Sequence, residues 1–365
     1  MKDRQFYFLV GTLVELIKLS PVIKEFKRRK IPFKLITSGQ NEIPFEVIDK
    51  YTGDLNVNYS FREKDKKSSI PLFLIWALRS FVSGIFFFNS ELRRLNKKEV
   101  YLVLHGDTVT SMIGAFLGFA FGLRIVHVES GLRSFNFFEP FPEEFCRFVV
   151  SNLAYIHFCP NRWAMNNLKG IKGRKVNTRQ NTFIESLQWA AESKGKMPVK
   201  VKGKYFVLVV HRQEHVIFGK QKTKEILNCI FNNIPENLTC VFLVHELTKN
   251  ILAKGDINSK KNIKKGIIYM ARTSFVNFVR LLKGSEFIIT DGGTNQEEAY
   301  YLGKPCLILR NVTERIEGLG RNAVLMGNDY NRIPEFIMNY KQFRKREILH
   351  IMEPSKLIVD YLIER

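Results

Sequence analysis

At 365 residues the chain exceeds what one ordinary hydrophobic core sustains, so two domains are expected. Its 45% hydrophobic and 25% charged residues exclude a disordered or fibrous chain, and a formal charge of +22 excludes indifference to anions: nucleic acid, a lipid headgroup surface or a phosphorylated ligand is implied. Five scattered cysteines (Cys146, Cys159, Cys229, Cys240 and Cys306), odd in number and without metal-ligand spacing, exclude a disulfide framework and a zinc site and suit a reduced cytoplasm.

The first residues run directly into a strand-like Phe6-Tyr-Phe-Leu-Val10, and no secretory signal is expected. Gly11-Thr12 is a turn, and Val14 to Lys30 carries helical apolar spacing that ends on basic residues, as a helix C-terminus favours. Phe33 to Thr37 is a second strand; Leu55 to Lys67 is irregular and polar. Ile70 to Phe88 is apolar over nearly the length that spans a bilayer. Arg79 at its centre opposes spanning, and Lys64, Lys66 and Lys67 on one side with Arg93, Arg94, Lys97 and Lys98 on the other suit a helix lying on an anionic membrane face. A buried core helix with solvated flanks fits the same pattern.

Val100 to Leu104 and Ile125 to Val128 are continuous apolar runs, the mark of buried parallel strands. They end on Asp107 and Glu129, at the carboxyl ends where open α/β sheets gather their ligand chemistry. Met112 to Phe121, between them, is a helix whose glycine and alanine spacing allows close packing. Glu143 to Asn152 starts a helix with acids in its first turn, and Glu143-Glu144 reads equally as a dipole-complementing pair or as part of a carboxylate site. Tyr155 to Cys159 is strand-like, and a loop and helix fill Asn177 to Ser193. This alternation predicts a doubly wound parallel sheet.

The Lys/Gly stretch Lys194 to Lys204 is the best linker signal, and the pattern then restarts. Strand-like segments Tyr205 to Val210, Cys240 to Val244, Ile267 to Met270, Phe287 to Thr290 and Cys306 to Leu309 build a second domain of the same class. Domains at 1–190 and 191–349 are expected, facing each other across a cleft, with a last helix at about 350–365 that packs back on the first. His211-Arg212 closes the first strand of the second half, where both side chains could donate to an anionic leaving group. His245 and Arg315 are weaker versions of this pattern. Gly292, Gly293 and Thr294, after Asp291, stand between a strand and a helix, where backbone N–H groups can approach a phosphate. Glu297 and Glu298 in the following helix suit the helix dipole, and one of them equally suits ribose hydroxyls.

The order of these stretches resembles the UDP-N-acetylglucosamine 2-epimerases, whose two Rossmann-like domains share the arrangement of GT-B glycosyltransferases. The resemblance runs from Gly11 to about Gly327. It rests on His105-Gly-Asp-Thr108, His127-Val-Glu-Ser-Gly-Leu-Arg-Ser134, Pro142-Glu-Glu144 with Arg147, Asn181-Thr182, His211-Arg212 with Glu214, Val244-His245, Gln296-Glu-Glu-Ala299 and Thr313-Glu-Arg315. It implies interconversion of UDP-GlcNAc and UDP-ManNAc by elimination and re-addition of UDP, for surface polysaccharide synthesis, with no metal or cofactor. Asp107, Glu129 and Glu143 match the family's carboxylates and His211 its leaving-group histidine. Arg315 and Glu298 match nucleotide-side contacts, and Arg133 and Arg147 are added as substrate contacts. Leu13 stands where the family carries a phosphate-binding arginine, leaving Lys18 nearby. Asn41 and the segment Arg62 to Lys67 lack the pattern of a second, activating substrate site.

Two rival classes share the scaffold: a glycosyltransferase serving a lipid-linked acceptor, which the charge and Ile70 to Phe88 favour, and a nucleotide-sugar binding protein without catalysis. A hydrolysing epimerase that releases ManNAc and UDP is a close variant of the first reading. A UDP-sugar, an anionic membrane surface contacted through residues 64–98 and a second copy of the chain are the expected partners. Nucleic acid is not, because the basic residues lack interleaved stacking aromatics.

Overall fold

The computed structural model describes residues 4–62, 65, 67, 69–211, 220–244, 266–349 and 352–364. The chain divides into two compact units, Met1–Ser186 with Ile351–Arg365, and Leu187–His350. The division falls within a helix, Phe183–Glu192, ahead of the Lys/Gly stretch. That stretch is fastened to the second unit, where Lys196 N donates to Asn277 Oδ1 at 2.9 Å.

In the first unit seven parallel strands form one sheet. They are β1 (Gln5–Val10), β2 (Lys34–Thr37), β3 (Tyr59–Ser60), β4 (Val100–His105), β5 (Arg124–Val128), β6 (Ile156–Cys159) and β7 (Arg174–Asn177), in the order β3-β2-β1-β4-β5-β6-β7. The order reverses between β1 and β4, and this switch point is where a doubly wound sheet opens a crevice at its carboxyl edge. The helices are α1 (Leu13–Arg28), α2 (Glu46–Thr52), α3 (Ile70–Glu91), α4 (Val109–Phe121), α5 (Glu143–Leu153), α6 (Arg162–Asn166) and α7 (Phe183–Glu192).

The second unit repeats the plan with six strands: β8 (Lys204–Val209), β9 (Leu238–Leu243), β10 (Ile267–Met270), β11 (Ile288–Thr290), β12 (Cys306–Ile308) and β13 (Ala323–Leu325), in the order β10-β9-β8-β11-β12-β13. Its switch point lies between β8 and β11. Its helices are α8 (Lys220–Asn232), α9 (Phe275–Gly284), α10 (Gly293–Tyr301) and α11 (Arg332–Asn339). The last helix, α12 (Pro354–Glu364), belongs to the first unit: Arg29 pairs with Asp360 at 2.6 Å, and Ser355 donates from N and Oγ to Glu185.

Alternating residues of the central strands serve two cores. In the second unit Phe206, Leu208, Phe242 and Phe287 pack on one side of the sheet, and Val207, Val241, Ile288 and Ile308 on the other. In the first unit Leu9, Leu102 and Leu104 pack against Ile113, Leu117, Trp76 and Phe88. The expected close packing of α4 is present: a Cβ at Gly114 would stand 2.4 Å from Leu104 Cδ2, and one at Gly118 2.5 Å from Ile125 Cγ1. The start of α1 is set by a capping box, in which Thr12 Oγ1 accepts from Glu15 N and Glu15 Oε2 accepts from Thr12 N.

The sequence reading does not anticipate β3, β7 or β13, nor the helices α2, α6, α8, α9 and α11. The first three are short and lie at sheet edges, where one neighbour suffices and little apolar surface is buried, so no apolar run announces them. The core-helix reading of Ile70 to Phe88 holds for one stripe only. One stripe of α3, including Trp76, Ser80 and Phe88, is buried, while only 22% of its most apolar window is buried overall. It is long and apolar enough to cross a membrane by length and composition.

Candidate active site

The first cluster forms at the switch point between β1 and β4. β4 runs out through Gly106, whose φ of +62° permits the sharp turn, into Asp107. Thr108 then caps α4 by accepting from Ser111 N at 3.1 Å. Glu15, fully buried at the start of α1, accepts from Thr108 Oγ1 at 2.6 Å, Ser111 Oγ at 3.1 Å and Gly11 N at 2.9 Å. It therefore ties the turn after β1 to the turn after β4, and burial raises its pKa against those bonds.

Asp107 is held from α5. Arg147 Nη2 donates to Asp107 and Arg147 Nη1 to Glu144 at 3.3 Å. Glu144 is wholly buried and also takes Arg133 Nε, Ser134 N at 3.0 Å and Phe135 N at 3.2 Å. Arg133 and Arg147, expected on the substrate, thus anchor carboxylates of the chain itself. Glu143, one residue before Glu144 and half-buried, stands one turn before Arg147 on α5, the helix that holds Asp107.

Glu129 ends β5 with φ at +62°, a left-handed conformation that costs a non-glycine residue of order 1–3 kcal/mol and persists only where surroundings enforce it. The enforcing contacts are Lys18 Nζ, which donates to both carboxylate oxygens at 2.9 and 2.7 Å, and Asn181 Nδ2. His105 Nε2 stands 3.9 Å away. A Cβ at Gly106 would lie 3.5 Å from Glu129 Oε1, so this carboxylate borders the residue preceding Asp107. Lys18, also expected on the substrate, is engaged with Glu129.

Behind these acids lies a histidine chain. His127 Nε2 donates to Gly106 O at 2.8 Å and His157 Nε2 to Lys172 O at 3.0 Å. Each Nδ1 therefore accepts, and both face Ser130 Oγ, at 2.9 and 3.0 Å, whose single proton serves one at a time. Burial pushes His127 down to about 3 and His157 down to about 4, so both are neutral at pH 7. The unfolded chain takes up these protons near the ordinary value of 6.5, while the folded chain does not. Stability is then expected to fall as pH drops from about 6.5 toward 4, by on the order of a few kcal/mol. Melting curves between about pH 7 and pH 4.5 check this; a His157→Gln variant should flatten the decline, and an unchanged Tm across the window would contradict it.

The second cluster forms at the switch point between β8 and β11. Asp291 Oδ1 and Oδ2 accept from His211 N at 3.1 and 2.9 Å, and His211 Nδ1 lies 3.1 Å from Asp291 Oδ1. Asp291 is fully buried and orients His211, whose side chain is 36% exposed. A Cβ at Gly292 would meet His211 Cε1 at 2.8 Å, and one at Gly293 would meet Glu314 Oε1 at 2.4 Å, so neither position accepts a side chain without a shift. Gly293 and Thr294 open α10. Arg315 Nη1 donates to Glu297 at 2.8 Å, and Glu298 accepts from Asn295 Nδ2 at 2.7 Å. Both expected nucleotide contacts are thus built into buried pairs beside the glycines. Arg212, Glu214 and His245 lie outside the described residues, as do Lys64 and Lys66. Among the described residues, no group of three or more His, Cys, Asp or Glu side chains could hold a metal ion.

Four residues of the site were not singled out for these roles: Glu15, Glu144, Asn181 and Asp291. Two carried a legible signal. Glu144 and Arg147 stand three apart at a helix start, the spacing of a surface pair on one turn. Asp291 ends an apolar strand as Asp107 and Glu129 do.

Known proteins carry the same plan. The model of the UDP-N-acetylglucosamine 2-epimerase family matches residues 89–354. A UDP-N-acetylglucosamine 2-epimerase of Methanococcus maripaludis is 31% identical over 352 residues, covering 91% of this chain and 89% of that protein. One from Methanocaldococcus jannaschii is 29% identical over 355 residues, covering 92% of each. The crystal structure of the Methanocaldococcus jannaschii UDP-GlcNAc 2-epimerase, in complex with UDP-GlcNAc and UDP, superposes with a TM-score of 0.82 at 26% identity, covering 99% of this chain and 100% of that one. With two parallel-sheet α/β domains of the GT-B-like kind and a match along most of its length, this chain belongs to the UDP-N-acetylglucosamine 2-epimerase family of enzymes.

Proposed function

We propose that the chain epimerises C2 of a UDP-N-acetylhexosamine, converting UDP-GlcNAc to UDP-ManNAc in the reducing cytoplasm for surface polysaccharide synthesis. In the first half-reaction a carboxylate takes the C2 proton, a C1=C2 double bond forms and the C1–O bond breaks, so UDP leaves with the electron pair. In the second, a proton reaches C2 from the other face and UDP oxygen returns to C1. Proton removal from one face and delivery to the other needs at least two positioned acid–base groups, each worth roughly 10²–10⁴-fold. The observation that carries the reading is the group of acids at the carboxyl edge of the first unit's sheet: Asp107 held by Arg147, Glu143 one turn before Arg147 on α5, and Glu129 beside Gly106.

Lys18 and Asn181 keep Glu129 in place, and Arg147 keeps Asp107 in place; these are positioning residues. His211, oriented by Asp291, would donate to the departing diphosphate. No cofactor takes part in this scheme. The five cysteines are all free, in keeping with a reducing compartment.

The test is NMR of purified protein with UDP-GlcNAc and no acceptor. The expected result is one equilibrium mixture with UDP-ManNAc, reached from either sugar. Accumulation of free ManNAc and UDP would replace this reading with the hydrolysing variant. An unchanged substrate, with UDP binding intact, would move the assignment to a transferase.

A further inference from the structure

Among the described residues, most exposed large hydrophobic side chains lie between Ile70 and Phe148. On α3 they recur every four residues: Ile70, Leu74, Leu78, Val82 and Phe86 are 61, 62, 64, 40 and 71% exposed. That spacing makes a continuous stripe along a helix about 33 Å long. The opposite stripe packs inward, with Gly84 against Leu117 of α4, and α4 packs in turn against α5. Phe116 and Phe119 extend the exposed layer across α4, and Phe145 and Phe148 across α5. Phe137 stacks edge-on against Phe148 at 5.9 Å, so the layer continues into the loop that leads to Glu143.

The fully exposed charges of this face have one sign. Between residues 61 and 152, the exposed charged residues that the structure describes are Arg62, Arg79, Arg93, Arg94, Lys97 and Lys98; no exposed carboxylate is among them. Three of the acids nearby are paired: Asp65 with Arg79, Glu91 with Lys34, and Glu99 with Arg4 and Arg124. A two-fold pairing of the face with a second copy would set this basic border against itself. An anionic bilayer complements both features, accepting the apolar stripe into its headgroup boundary and the cations onto its surface. Spanning is excluded by the fold, because the inward stripe of α3, Trp76 and Phe88 included, belongs to the core of the first unit.

We infer that the α3–α4–α5 face is an interfacial docking surface for an anionic lipid bilayer, held by the α3 stripe and the cations at its ends. Docked in this way, the first unit carries its carboxylate cluster at the membrane surface. A product made there is released where glycosyl transfer to a lipid-anchored acceptor would consume it.

The experiment is co-sedimentation of the full chain with vesicles of phosphatidylcholine containing about one-third phosphatidylglycerol, and with phosphatidylcholine alone, at about 0.05 and about 0.5 M salt. Binding to the anionic vesicles should exceed binding to the neutral ones by about tenfold or more and should fall by a similar factor at the higher salt. The double variant Leu78→Glu/Phe86→Glu and the charge variant Arg93→Glu/Arg94→Glu should each lose it while keeping the wild-type melting temperature and epimerase activity in solution. Failure to sediment with anionic vesicles, or binding indifferent to both variants, overturns the inference. A dimer in light scattering that Phe86→Glu dissociates, without vesicle binding by the wild type, assigns the face to a second copy and overturns it too. Loss of epimerase activity in the wild type would speak to the proposed function and leave this outcome separately readable.

Discussion

Replacing Asp107 by Asn should lower kcat by about 10³-fold or more while leaving UDP affinity nearly unchanged. The amide keeps the shape of the side chain and removes its capacity to take or return a proton. Arg147, only 4% exposed, would then face an amide oxygen instead of a carboxylate, and its other contact, Glu144, remains. The variant should therefore fold, with some loss of stability from the weakened charge-assisted bond. Steady-state kinetics separates the possibilities. A fall in kcat with a steady KM marks a group that acts in the transition state; a rise in KM alone would make Asp107 a binding residue and remove it from the chemistry.

The Lys18–Glu129 pair carries the largest expected effect on stability. Both side chains are nearly inaccessible, at 4 and 2% exposure, and their charged atoms meet at 2.7 Å. Removing one partner of such a pair leaves a buried charge without its counterion and costs about 3–5 kcal/mol. Lys18→Met should thus destabilise strongly, and it also removes one of the contacts that hold Glu129 in its left-handed conformation. Glu129→Gln strands the ammonium of Lys18 in the same way. The double variant Lys18→Met/Glu129→Gln should recover a large part of the loss in denaturant titrations, because no uncompensated charge remains. It should not recover turnover, because Glu129 is assigned to the chemistry. A double variant that loses the sum of the two single losses would show that the pair contributes little, and recovered turnover would exclude Glu129 from the reaction.

The central strands of both units were legible because they are continuous apolar runs buried on both faces, and Asp107, Glu129 and Asp291 because such runs stop on acids. Edge strands such as Arg174–Asn177 bury too little to leave that trace. The partners of the site were harder to read. Lys18 meets Glu129 across 111 positions of sequence and Arg147 meets Asp107 across 40, so only the folded sheet brings them together. Lys18, Arg133, Arg147 and Arg315 each meet a carboxylate of the chain, and neither residue type nor spacing announces those partners. The apolar helix Ile70–Glu91 was ambiguous for a different reason: one stripe is core and the other is exposed, and composition averages the two.

That acids at the end of the first unit's sheet exchange a proton at C2 of a UDP-sugar is tested most directly in D₂O. Purified protein with UDP-GlcNAc and no acceptor should place deuterium at C2 of both UDP-GlcNAc and UDP-ManNAc, and the Asp107→Asn variant should do so at least about a hundredfold more slowly. Interconversion of the two sugars without any deuterium at C2, or exchange at an undiminished rate in that variant, would contradict the account.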